Sequence, residues 1–309
     1  MVALLVQDGA LELDRPVGRS WPEFAAAGKG RITVRNLLTH RSGVIGVDGG
    51  FTAAELADDQ LIARRLAGQR PYWRPGSAYG YGGFVTFAMV GEVVRRATGR
   101  SLGSTTNSGC ARPTAWSCPW GCRRRWRTGT GRCCRAWPTR IGWRRSGPPS
   151  RDRTASPGSA TASIRPRRWI RWPSSTPGGC ALGQASAGGV GNARALAEMY
   201  AALAFGLSGR PPLLEPATLG EFAMLHSTGV DLVTGAAGQY ALGFQAKGAR
   251  YPFLSANAFG HNGSAGSEAF ADPVSGIAFG YTRRRFSFDW SYPEHDRLAA
   301  AVHHAVTAS

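Results

Sequence analysis

The 309-residue chain is long enough to bury a large core, as one domain or two closely packed subdomains. No apolar run approaches the ~20 residues that span a bilayer, and residues 1–6 are too short for a signal-peptide core. The formal charge of +18 would ordinarily point to nucleic acid or an anionic membrane, but its distribution argues otherwise. Residues 101–180 hold 16 Arg, no Lys or Glu and one acid, Asp152, so +15 of the charge lies there and only +3 elsewhere. The same window holds all six Cys and seven of the ten Trp, with no Val, Phe or Tyr and a single Leu.

Residues 1–17 read as the later part of a helix, a stop at Gly9 and a turn at Pro16. The helix opens on apolar Val2–Val6 with no N-cap, which implies that its first turns are missing. Such a truncated start leaves cytoplasm or export undecided, with cytoplasm as the default expectation. Residues 32–44 read as a short helix with Leu37 and Leu38 inward and Gly43 just past its end. His40 is expected at that helix's C-terminus, near the negative end of the dipole, rather than in catalysis. Residues 53–67 read as a second amphipathic helix with Leu56, Leu61 and Leu66 on or near one face. Residues 73–83 form a turn-rich loop feeding an apolar helix over 84–97, closed by Thr98-Gly99. A tyrosine on this glycine-flanked loop suits proton transfer by a phenol; a packed ring with a hydrated hydroxyl fits the residues equally well.

Residues 103–180 admit three readings. Nucleic-acid binding fits the arginines but not the rest. Zinc fits poorly, because the Cys spacings are irregular, no Cys-x-x-Cys occurs and the window has no His. Translation out of frame from GC-rich DNA fits best. Possible codons for several parts of the window, read at one constant offset, give acidic and aliphatic sequence. The stretch is then expected to contribute no functional residue and no fixed structure.

Beyond it, residues 186–191 form a glycine loop, Asn192 an N-cap, and 193–204 a helix with Leu196, Met199, Tyr200 and Leu203 inward. Leu213 to Pro216 open another helix running through Leu225, and 240–244 read as a strand. Residues 259–273 read as a strand entering a glycine-rich turn, with a second strand over 276–281 leaving it. Gly260, Gly263 and Gly266 let a ligand carbonyl approach the backbone. His261 on the inner edge could offer an imidazole, and the turn its backbone N–H donors, to one substrate oxygen; an ordinary hairpin with a solvated histidine is the alternative. Trp290 reads as a packing residue before a closing helix over 296–306.

Three segments, ITVRNLLTHRSGV, WRPGSAYGYGGFVTFAMVGEVVRRATGRSL and FGHNGSAGSEAFADP, resemble in order and spacing the class C β-lactamase-like serine hydrolases, which include esterases, D-amino-acid peptidases and penicillin-binding relatives. With the helices at 190–203 and 296–306 the resemblance covers roughly 230 residues. It implies an α+β, β-lactamase/transpeptidase-like fold: an antiparallel sheet flanked by helices plus a helical region, here incomplete. A single domain is expected, with a helical part over 1–102, the anomalous 103–180, and the remainder over 181–309. By resemblance Tyr81 matches the catalytic tyrosine, His261-Asn262-Gly263 the His-x-Gly strand, and the backbone N–H of Ser264 one oxyanion donor. Gly263 would help bind substrate. Gly83 stands where many members have Asn, a departure closer to the esterase branch.

The family nucleophile is Ser-x-x-Lys. The two lysines are Lys29 and Lys247, preceded three residues earlier by Ala26 and Phe244, so the motif does not occur; neither does Gly-x-Ser-x-Gly. The expectation is a serine hydrolase of small esters or amides that is inactive as written, or else a non-catalytic ligand-binding pseudoenzyme. No cofactor, metal, nucleic acid or membrane span is expected.

Overall fold

The computed structural model describes residues 1–52, 54–103, 184–186, 189, 191–263, 266–283 and 292–308. Ser264, Trp290, most of the 103–180 segment and all six cysteines lie outside the described residues, so the expectations placed on them stand as expectations.

The carboxy-terminal half supplies a six-stranded antiparallel sheet in sequential order: β1 Ser227–Val230, β2 Ala237–Tyr240, β3 Gln245–Ala246, β4 Phe259–Asn262, β5 Glu268–Asp272 and β6 Ile277–Tyr281. Every residue of β5 is buried. Ala269 and Ala271 join Phe259 in one core, while Phe270 joins Ile277 and Phe279 in another, as the two-residue period of a strand requires. Helices therefore cover both faces. Helix α5 (Ala193–Ala204) lies so close on one face that a Cβ at Gly280 would sit 2.2 Å from the Ala193 carbonyl oxygen. On the other, Ala299 of helix α8 (Pro293–Thr307) packs into the core of Tyr251, Leu254 and Phe270.

The amino-terminal half is helical: α1 Val2–Gln7, α2 Val34–Leu38, α3 Asp59–Gly68 and α4 Thr86–Thr98. Thr33 and Asn36 form a reciprocal capping box on α2, and Asp58 accepts N–H bonds from Gln60 and Leu61 at the start of α3. Gly99, at φ +70°, closes α4 as its sequence indicates. Helix α5 and its Asn192 cap also match. Helix α6 (Pro216–Ala223) stops two residues short of Leu225.

Four expectations are corrected. The 53–67 helix is broken: a 3-10 turn at Glu55–Ala57 precedes α3, because Asp58 caps a new helix. Of residues 240–244 only Tyr240 belongs to a strand, ending β2, and 241–244 form the corner to β3, since Gly243 takes φ +75°. The glycine-rich turn leads into β5, a strand missing from the sequence reading, and the 276–281 run is the third strand of the meander. Helix α2 ends at Leu38, leaving His40 outside it in the left-handed region at φ +58°.

The two halves meet at that corner. The Gly243 N–H donates to the Leu38 carbonyl at 3.0 Å, and Ser227 Oγ donates to the Thr39 carbonyl at 2.8 Å. These bonds fix the end of α2 against the sheet and place His40 beside β2.

Candidate active site

Tyr81 stands on the loop between α3 and α4, and that loop is bonded along its length. Gly76 N–H donates to the Arg41 carbonyl and Gly80 N–H to the His40 carbonyl, at 2.8 and 3.0 Å. The Tyr81 N–H lies 3.1 Å from both carboxylate oxygens of Asp231. Gly82 N–H donates to His40 Nδ1 at 3.3 Å, with Thr86 Oγ1 3.2 Å from the same nitrogen. Asp231 is buried, and its Oδ1 also accepts the N–H groups of Val233 and Thr234 at 2.8 and 3.0 Å. One carboxylate thus joins the Tyr81 loop to the turn between β1 and β2.

The Tyr81 ring is enclosed by aromatic neighbours. It stacks on Tyr240 at 5.6 Å and 13°, and lies 4.9 Å from His40 and 6.1 Å from His261. Its hydroxyl and that of Tyr240 have no hydrogen-bond partner among the described residues. Gly83 leaves room for this ring: a Cβ there would meet Tyr81 Cε1 at 2.8 Å. An asparagine at that place, as in many relatives, would have to displace the ring.

His261 comes from β4, whose register pairs it with Ala269 and Asn262 with Glu268. The strand lies very close to its neighbour at Gly260, where a Cβ would sit 2.2 Å from the Ala269 carbonyl oxygen. His261 Nδ1 is 2.6 Å from the Asn262 carbonyl oxygen. A carbonyl only accepts, so Nδ1 carries the proton and Nε2 of the neutral ring is an acceptor. In this tautomer Nε2 can accept a hydrogen bond but cannot donate one to a substrate oxygen. The Gly263 N–H is committed to the Ser267 carbonyl at 2.7 Å, and the Gly263 carbonyl accepts from Gly266 N–H at 2.9 Å. Gly263 therefore closes the turn instead of offering a donor.

Burial first, then the charge of Lys247, push His261 down to about 4, against the Asn262 hydrogen bond and Glu268. Burial, then His261, push His40 down to about 3. Both rings are neutral at neutral pH. Burial and then Asp231 raise Tyr81, and burial followed by Tyr81, Asp231 and Tyr79 raises Tyr240. No cation among the described residues counters this at Tyr81. Lys29 is buried with Nζ 2.5 Å from the Gln69 carbonyl oxygen, and Lys247 pairs with Glu268. A phenolate at Tyr81 would need a positive charge that neither lysine supplies.

Of the sequence-derived residues, Tyr81 and His261 come together, with Gly263 in the adjoining turn. Three neighbours of Tyr81 escaped the sequence reading. Tyr240 and Asp231 carried no motif, and His40 was assigned to a helix end. Its Asn-x-x-x-His setting before Gly43 gave no sign of the left-handed corner that turns the ring inward.

A family model described as beta-lactamase matches residues 1–304. Esterase EstB from Burkholderia gladioli is 32% identical over 130 residues, 36% of this chain and 32% of that protein. Esterase/beta-lactamase LipL from Mycobacterium tuberculosis is 33% identical over 100 residues, 32% of this chain and 22% of its own. The matched stretches thus span a third or less of these curated relatives. Among solved structures, EstA from Arthrobacter nitroguajacolicus superposes with a TM-score of 0.73 at 29% identity, covering 99% of this chain and 81% of its own. A penicillin-binding protein homologue from Caulobacter crescentus gives 0.71 at 27%, with 98% and 79% covered. A family VIII carboxylesterase gives 0.70 at 26%, with 98% and 79% covered.

Proposed function

The chain belongs to the β-lactamase family, and we propose that it forms the phenol and His-x-Gly walls of a serine-hydrolase cleft for small esters or amides. One observation carries this reading: Tyr81 and His261, from opposite halves of the chain, lie with ring centroids 6.1 Å apart. The esterase names of the relatives favour ester substrates, with β-lactams and peptides second.

In the full reaction a serine hydroxyl attacks the substrate carbonyl. A lysine and Tyr81 pass the serine proton to the departing alcohol or amine, and the Ser264 N–H steadies the oxyanion. Water then attacks the acyl-serine, releasing the acid and restoring the hydroxyl. Within these 309 residues there is no Ser-x-x-Lys, and both lysines are engaged elsewhere. This favours a second reading, in which the chain by itself binds an ester or amide reversibly and is not acylated.

A fluorophosphonate followed by intact mass separates the two. The expected result is an unmodified mass, alongside saturable binding of a non-hydrolysable ester analogue that weakens on His261→Ala. A covalent adduct on any serine overturns the binding-only reading and assigns catalysis to these residues. No binding of ester, amide or β-lactam analogues overturns both.

A further inference from the structure

Three ionisable side chains outside the cleft lie directly behind its His261 wall. Lys247, Glu268 and His295 are each fully buried. Lys247 Nζ is 2.5 Å from Glu268 Oε1, and His295 Nδ1 is 3.1 Å from Glu268 Oε2. The cluster reaches the backbone of the turn at both shoulders. Gln245 Oε1 accepts from Lys247 Nζ at 2.7 Å and from the Asn262 N–H at 3.3 Å. His295 Nε2 donates to the Gly266 carbonyl at 3.0 Å. Glu268 is the register partner of Asn262, at the point where the chain re-enters the sheet.

Burying such charges is costly, and well-packed apolar residues of similar volume commonly give equal or greater stability. Apolar residues, however, cannot end hydrogen bonds on chosen backbone groups. We propose that Lys247, Glu268 and His295 are positioning residues that fix the backbone at residues 262–263 and 266–268, and with it the His261 imidazole presented to the proposed cleft. They come from three separate elements, the short helix α7 (Lys247–Arg250) after β3, strand β5 and the first turn of α8, and reach the backbone at Asn262 and Gly266. Gln245 is the link that carries the grip to β4.

The assignment takes the turn as a wall of the substrate cleft, and its test reads the backbone directly, without turnover or ligand. Amide hydrogen exchange is measured residue by residue on the intact chain and on the triple variant Lys247→Met/Glu268→Leu/His295→Leu. The triple variant is expected to keep its thermal midpoint. The Asn262 and Gly263 amides should exchange about tenfold faster or more, while Val90 and Val93 in α4 are unchanged. A folded triple variant with wild-type protection at Asn262 and Gly263 overturns the proposal. So does a lowered midpoint with uniformly faster exchange, which would make the cluster a structural one. Gln245→Met keeps the ion pair and removes only the link to Asn262, so it decides the matter even where the triple variant does not fold. It should accelerate Asn262 exchange selectively, and no change there overturns the proposal.

Discussion

The Tyr81 loop and the His261 strand are held by different physics. Tyr81 is fixed by neutral hydrogen bonds to His40 and by one buried carboxylate, Asp231, which faces backbone N–H groups and no cation. His261 sits on a strand backed by a buried Lys247–Glu268 ion pair with His295 beside the carboxylate. Burial, with Asp231 adding to it, raises the phenol's pKa, and burial, with Lys247 adding to it, lowers the imidazole's, so both stay neutral. A phenol in this state keeps its proton. It becomes a base only when a cation is brought beside it.

The largest expected effect comes from breaking the His261 wall at one point. Lys247→Met leaves Glu268 buried without its cation and should cost about 3–5 kcal/mol in denaturant unfolding. Loss of less than ~1 kcal/mol would show that His295 alone satisfies the carboxylate. On the Tyr81 wall, Asp231→Ala strands the N–H groups of Tyr81, Val233 and Thr234, an expected loss of about 3 kcal/mol or more. Asp231→Asn, which keeps one acceptor oxygen, should lose clearly less, and equal losses would contradict the acceptor role.

The histidines give a pH signature common to both walls. In the unfolded chain His40 and His261 titrate near 6.5, whereas in the folded one they are pushed down to about 3 and about 4. Below pH 6.5 the unfolded chain therefore binds more protons, so stability rises with pH across this window and is lost as pH falls through it. With both sites contributing, the slope approaches about 2.7 kcal/mol per pH unit near pH 5. Denaturant midpoints across this range should flatten in His261→Asn, and an unaltered slope would mean that His261 is already protonated. The smallest effect is expected from Tyr81→Phe, within about 0.5 kcal/mol, because the hydroxyl has no partner among the described residues. A larger loss would reveal a partner for that hydroxyl.

Much of the site was legible in the sequence, for reasons that vary by residue. Tyr81 and His261 stood in motifs whose glycines report backbone demands, and the structure shows two of them: Gly83 clearing the Tyr81 ring and Gly260 pressed against β5. Strand β5 was missed because Glu268–Asp272 is buried on both faces, so charged ends flank an apolar centre with no alternation to detect. The strand assigned to 240–244 failed because one left-handed glycine turns an apolar run into a corner. Asp231 was invisible, since an acid before a turn looks the same whether solvated or accepting three backbone N–H groups.

The sequence by itself determined the family, the capped helices and the two motif residues, because local rules of capping, glycine conformation and spacing act within a few residues. Only the tertiary structure decided that His40 turns inward, that Tyr240 stacks on Tyr81, and that Lys247, Glu268 and His295 meet behind the turn. Those outcomes depend on burial and on partners tens to hundreds of residues away. A charged side chain becomes a structural pin only once the fold has removed its water and brought its counter-charge within hydrogen-bond reach.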